Sequence, residues 1–278
     1  MRQNLKPGEI FETNNFGKIK VLQEAIIVPY SKLQDKYYQI QFMDSGYIRT
    51  ASACAILSGR VKDNTVPNIA NTGYIGADLK ITTDPIIHMF YKSWNDMINR
   101  CYNSTDEDYP LYGAIGITVD KRWFNFSVFL IDVMTLPNYD KKIKYPNIYQ
   151  LDKDYLQFNI PKSERIYSKS TCIWISKYDN ILIMNRDYGT LTGYYGVLNK
   201  DNSYCARYGN TIYGRFDSPI IAASFYNIIY LKYFRNNKFN DICLLNNVPE
   251  FSPQEILEHC KNKQKWFINS SGEIELIL

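Results

Sequence analysis

The chain has 278 residues, 45% of them hydrophobic, and a formal charge of +4. That is enough apolar material for about two domains, and the small positive charge is only a mild bias toward polyanions. Six cysteines and two histidines occur with no CxxC pair, so a structural zinc site has no support. No apolar run reaches ~18 residues, and the N-terminus carries no charged-then-apolar leader pattern. The expectation is a soluble, cytoplasmic protein with free thiols and no membrane partner. Tyrosine is abundant, at 24 residues, and suits wet aromatic surfaces as well as ordinary packing.

Residues 1–80 predict a small antiparallel β unit. IKVLQEAIIVPY, YYQIQF and YIRTASACAIL are rich in β-branched and aromatic residues, and they are punctuated by NNFG, DSG and SGRVKDN, which are turn chemistry. NTGYIGADLK reads as a loop leading out. DPIIHMFYKSWNDMINRCYN then predicts a helix that starts at Asp84-Pro85, with Met89, Phe90, Trp94, Met97, Ile98 and Cys101 at helical spacing. YPLYGAIGITVDKRW suggests a turn and a short strand, and WFNFSVFLIDVM a second helix. NYDKKIKYPN reads as a polar, basic loop, IYQLDKDYL as a strand, SERIYSKST as a turn-rich connector, and TCIWISKYDNILIMNR as a strand running into a helix.

Residues 192–218 predict three short strands, TGYYGVLNK, SYCARYG and TIYGRFDS, joined by KDN and GN turns. A helix follows from Pro219, with Ser218 as its candidate cap and Ala222, Ala223, Tyr226 and Ile229 as a stripe that lies close on a sheet. SPQEILEHCKNK and WFINSSGEIELIL close the chain as a helix and a hairpin.

The middle segment, 85–190, carries a longer pattern. WNDMINRCYN is followed by Tyr109, Tyr112, Gly113, Gly116, Ile117, Trp123, Phe126 and Phe129, then Leu151-Asp152, Tyr167-Ser168, Cys172, Trp174 and Asn180. This series resembles a family of phage-encoded HNH-type homing endonucleases. The resemblance implies a ββα unit holding one divalent metal, in which an Asp on the first strand and an Asn on the helix bind Mg²⁺ or Mn²⁺, a His beside the Asp is the general base, and an Asn orients that His. Asp152 matches the metal-binding Asp and Asn180 the helix ligand. Lys153 stands where the base is expected and Thr171 where the orienter is expected, so both ligands are kept while both catalytic positions have changed. Read without the resemblance, Asp152 beside Lys153 also fits a solvated turn, and Asn180 a helix cap. His88, at the start of the first long helix, is the only other histidine near this segment.

The third segment, 192–249, has Gly196-Val197, Tyr204, Ala206, Arg207, Gly214, Phe216, Ala222-Ala223, Tyr226 and residues 246–249 in an order that resembles the APETALA-type (ethylene-response-factor) DNA-binding domain. That resemblance implies a three-stranded sheet lying in the DNA major groove with a helix behind it. Lys200, Arg207 and Arg215, interleaved with Tyr194, Tyr195, Tyr204 and Tyr213, would then reach bases and phosphates. Residues 192–240 hold six cations against two anions, as much net charge as the whole chain. The Trp usual on the family's strands is missing, so base specificity does not carry over.

The expected class is α+β. Its parts are an N-terminal β unit at 1–80, an HNH-like ββα domain at 85–190, an antiparallel sheet plus helix at 192–249 and a short α/β tail at 250–278. The expected function is a DNA-binding protein of HNH homing-endonuclease ancestry, with double-stranded DNA as partner and a weakened Mg²⁺- or Mn²⁺-dependent endonuclease centre. The alternative is a catalytically inactive regulator or phage anti-defence protein that binds DNA or a host protein in the host cytoplasm. RNA binding has no signature here.

Overall fold

The computed structural model describes residues 4–25, 36–157, 160–180, 183, 192–235, 245–261 and 265–277. Residues 26–30 of the first expected strand, much of the helix expected after Ser176, and Lys238 lie outside the described residues. The chain is mixed α and β with mainly antiparallel sheets. It divides into two compact units, Met1–Thr135 with Pro161–Lys169, and Leu136–Ile160 with Ser170–Leu278. Among the described residues no helix is long and apolar enough to cross a membrane.

The first unit opens with an antiparallel meander of β1 (Ile10–Glu12), β2 (Lys18–Ala25), β3 (Tyr37–Phe42) and β4 (Ile48–Ser52). Period-two alternation puts Ile19 and Val21 of β2, and Tyr38, Ile40 and Phe42 of β3, into one core. The strand expected through YIRTASACAIL stops at Ser52. The Ser52 side chain accepts the Ala55 N–H at 3.2 Å and caps a short helix, α1 (Ala53–Leu57). A local cap and an alanine-rich turn outweigh the β-branched residues before them.

The first long helix, α2 (Pro85–Tyr102), starts where Asp84 accepts the N–H groups of Ile86 and Ile87 at 2.9 and 3.1 Å. Its Phe90, Trp94, Met97, Ile98 and Cys101 are buried, and His88 stays exposed at the first turn. Trp94 Nε1 donates to Trp123 O at 2.7 Å, and the Trp123 ring meets Phe129 edge-on in α3 (Phe126–Val133). A two-residue strand β5 (Thr118–Val119) pairs in parallel with β7 (Ile166–Tyr167), so part of the expected connector 163–171 is sheet. The Arg100 guanidinium lies between the Tyr112 and Tyr167 rings, 4.6 and 4.9 Å from their centroids.

The second unit begins with α4 (Tyr139–Lys144), a short helix where a polar loop is expected. It leads to β6 (Tyr149–Asp152), which pairs antiparallel with β8 (Ile173–Ser176), and residues 177–180 turn into a helix. β9 (Val197–Lys200), β10 (Ser203–Tyr208) and β11 (Thr211–Phe216) form the expected antiparallel sheet. Asp201 and Asn202 both have φ near +54° in the first hairpin, the mirror-image turn that matches strand twist. A fourth strand, β12 (Cys260–Lys261), joins the sheet beside β11. It takes residues expected to continue the closing helix, which is only α6 (Pro253–Glu258). The chain ends in a hairpin of β13 (Trp266–Ile268) and β14 (Ile274–Leu276).

Helix α5 (Pro219–Ile229) packs on one face of this sheet. Ser218 occupies its cap position without a side-chain cap bond, so Pro219 and burial set its start. Ala222 and Ala223 are fully buried in one cluster with Val197, Ala206 and Phe216 of the strands. Gly196 has φ +66° and sits against the Tyr226 ring, leaving no room for a side chain. Such close approach makes Ala223→Leu an overpacking change, expected to destabilise the protein by ~1–3 kcal/mol. The check is the urea midpoint against wild type; an unchanged midpoint would mean that the helix is not held to the sheet by its small residues.

Candidate metal centre and nucleic-acid face

Asp152 ends β6 and is 4% exposed; across the hairpin it faces Ile173. Tyr155 N–H donates to Asp152 Oδ1 at 2.8 Å, a turn that bends the chain back just after the strand. Burial, reinforced by the neighbouring Asp154 carboxylate, pushes the Asp152 carboxyl up to about 6 despite backbone hydrogen bonds and Lys153. A carboxylate held this way gains from any nearby cation.

Lys153 is also buried, at 3% exposure, and its Nζ donates to both oxygens of Asp154 at 2.8 and 3.0 Å. Gln157 Nε2 donates to Lys153 O at 2.8 Å and fixes the same turn. A nitrogen donating to a carboxylate on two sides is a poor acceptor for a proton from water. Thr171 lies two residues before Ile173, the cross-strand partner of Asp152, and its Oγ1 is 4.0 Å from Cys172 Sγ. Asn180 follows β8 in the helical turn 177–180; its Oδ1 is buried and has no hydrogen-bond partner among the described residues. A buried amide oxygen without a donor is unfavourable unless something supplies positive charge to it. Asp152 and Asn180 thus offer hard oxygen donors of the kind Mg²⁺ and Mn²⁺ take. Among the described residues no group of three or more His, Cys, Asp or Glu forms a metal cluster.

Sequence reasoning missed Lys142, which braces this hairpin from α4. Its Nζ donates to Pro146 O and Tyr149 O, both at 2.8 Å, and lies 5.2 Å from the Trp174 ring centroid in β8. Burial depresses its ammonium to about 8. A lysine in a run of polar residues gives no sign that it will turn inward, so no pattern could have singled it out.

The sheet of the second unit has one face under α5 and one turned away from it. Residues directly opposite across antiparallel strands share a face, and alternate residues along a strand do too. Arg215 is opposite Cys205 on one side and Lys261 on the other, and Cys205 is opposite Leu198. Alternation adds Arg207, Ser203 and Lys200 to that face, while Val197, Ala206 and Phe216 face the helix. The face away from α5 therefore carries Lys200, Arg207, Arg215 and Lys261, the last brought in by the unexpected fourth strand. Arg215 is restrained: its Nη1 reaches Ser203 Oγ and Cys205 Sγ at 3.3 Å and Asp201 Oδ2 at 3.6 Å. Lys261 Nζ donates to Asn202 O at 2.7 Å. Arg207 and Lys200 make no ion pair among the described residues.

The four expected tyrosines lie differently. Tyr204, Tyr194 and Tyr195 are partly buried against the helix-side core. Gly214 pairs with Ala206 but Ile212 with Arg207, so Tyr213 is the extra residue of a bulge, buried with its ring 5.5 Å from Phe234. Of the other cations in the segment, Lys232 is tied to Glu273 and Glu275 at 3.0 and 2.9 Å. No family model, curated protein or solved structure matches the chain.

Proposed function

We propose that the chain is a double-stranded DNA-binding protein of HNH homing-endonuclease ancestry that holds duplex on the sheet face opposite α5. The observation that supports this most is the set Lys200, Arg207, Arg215 and Lys261 on that one face. Arginine forks on strands match guanine edges and phosphates, and lysines add charge along the backbone. Tyr213, in the core, has no part in the contact.

In this reading the β6–β8 hairpin is a weakened phosphodiester-cleaving centre. Asp152 and Asn180 would hold Mg²⁺ or Mn²⁺, which would neutralise charge on a backbone phosphate and its leaving oxygen. Lys153, paired with Asp154, contributes charge and no general base. That pairing also supports the second reading, a regulator or anti-defence factor that binds DNA without cutting it. Nicking of supercoiled plasmid with Mg²⁺ or Mn²⁺ separates the two.

The test of the DNA face is affinity for duplex at fixed low salt. Arg207→Ala should weaken binding by ~1–3 kcal/mol if the side chain reads a base. Lys200→Ala should weaken all sequences alike and lower the salt slope by about one. Arg215→Ala is less clean, because it also frees Asp201, Ser203 and Cys205. Unchanged affinity in both Arg207→Ala and Lys200→Ala would remove this face as the DNA contact.

A further inference from the structure

The first unit has a cleft of about 630 Å³ between the β meander, the loops after α1 and the start of α2. Small-ligand sites have this size. Arg49, Arg60 and Lys62 line it, and among the described residues no Asp or Glu does. Arg49 is held from behind: its Nη2 meets Asp78 Oδ1 at 2.9 Å and its Nη1 donates to Lys62 O at 2.8 Å. Asn64, another lining residue, donates to the same Asp78 oxygen at 2.9 Å. The Arg49 Nε is buried without a hydrogen-bond partner among the described residues. Arg60 donates through Nε to Ser58 Oγ at 2.8 Å and, like the exposed Lys62, meets no carboxylate among the described residues.

Two cations that meet no carboxylate among the described residues, lining one cleft, ask for an anion with several acceptor oxygens, and the Arg60 guanidinium fork suits phosphate. The remaining walls mix apolar side chains with uncharged polar ones such as Thr50, Asn68 and Thr82. Tyr37 and Tyr91 line the cleft, and the Tyr91 ring is fixed by Trp94 and Phe126, at 5.8 and 5.4 Å between centroids. We propose that this cleft binds a phosphate ester with an aromatic body of nucleotide size, its phosphate on Arg49, Arg60 and Lys62 and its ring against the tyrosines. The ligand is either a free mononucleotide or an unstacked nucleotide of a single strand, since both present the same phosphate and ring. The proposal uses none of the residues of the sheet face and does not depend on whether that face binds DNA.

Calorimetric titration of the full chain with AMP, adenosine, inorganic phosphate and a short single-stranded oligonucleotide tests this. AMP or the oligonucleotide should bind saturably, at least tenfold more tightly than phosphate or adenosine. Arg60→Ala with Lys62→Ala, both exposed and safe for folding, should weaken that binding at least tenfold. AMP binding identifies a free nucleotide, and oligonucleotide binding without AMP identifies a strand. No saturable binding of either, equal binding of bare phosphate, or binding that survives loss of Arg60 and Lys62 overturns the proposal.

Discussion

Asp152→Asn should stabilise the metal-free protein at pH 7 and change little at pH 4. The Asp152 carboxyl is raised to about 6, first by burial and then by Asp154. A group raised in the folded state contributes its stability below the unfolded value, near 4, and loses it as pH climbs through about 6. Above that, folding holds an ionised carboxylate where it is poorly solvated. The shift corresponds to on the order of 3 kcal/mol at neutral pH. Asn is nearly isosteric and keeps an oxygen for the Tyr155 N–H, so it removes the charge and retains the turn. Melting curves of both proteins from pH 4 to pH 7 in a chelator should therefore diverge as pH rises. Parallel curves would show that the carboxylate is not strained by its surroundings. Mg²⁺ should then narrow the gap, because a cation bound only to the folded carboxylate adds about 2.7 kcal/mol at a hundredfold excess over its dissociation constant. A gap that ignores Mg²⁺ and Mn²⁺ would leave Asp152 buried but no metal ligand.

The elements easiest to read were those whose signals are local. The helical spacing from Phe90 to Cys101 and the Asp84-Pro85 start describe α2, since burial of one face and a side-chain cap both act within a few residues. The paired turn residues Asp201 and Asn202 and the alanines of α5 are of the same kind. What escaped depends on partners far along the chain. Cys260 and Lys261 look like a helix end, but pairing with Phe216 and Arg215 satisfies their backbone as a fourth strand. Tyr213 alternates properly in sequence, but the bulge removes it from the outer face. At Ser52, propensity for strand and for a capped helix meet within one apolar run, and periodicity alone does not decide between them.

The candidate centre was legible only in its residue types. Asp152, Lys153, Thr171 and Asn180 stand out through order and spacing, whereas the Lys153–Asp154 pair and the orphaned Asn180 oxygen are matters of rotamer and burial. The cleft of the first unit was invisible for a related reason. Arg49 lies in a strand segment and Arg60 and Lys62 in the turn-rich SGRVKDN, and only the return of β4 and the loops after α1 gathers them around one cavity.

Lys153→His combined with Thr171→Asn should raise plasmid nicking well above either single change, by up to ~10²–10⁴-fold over the native chain, the usual worth of a positioned general base. Lys153 now gives its ammonium to Asp154 on both oxygens, so the position next to Asp152 carries a charge and no free lone pair. Lys153→His alone supplies a ring whose pKa suits proton transfer near neutrality, but nothing sets its orientation or tautomer. Thr171 has one hydroxyl at the foot of β8, too short to do what an amide carbonyl would do for that ring. Thr171→Asn alone orients a lysine that cannot act, and should nick at the native rate. Only the pair restores both base and orienter, so the two effects should be far from additive. Asp152→Ala in the double variant should abolish the gain, which ties the rate to the metal rather than to a contaminating nuclease. Nicking by the native chain at the rate of the double variant would show that Lys153 is no impediment. A double variant that binds duplex and metal but stays inert would mean that Asp152 and Asn180 do not address the phosphate together, and the chain would then be a DNA-binding protein that has lost the geometry of cleavage and not merely its base.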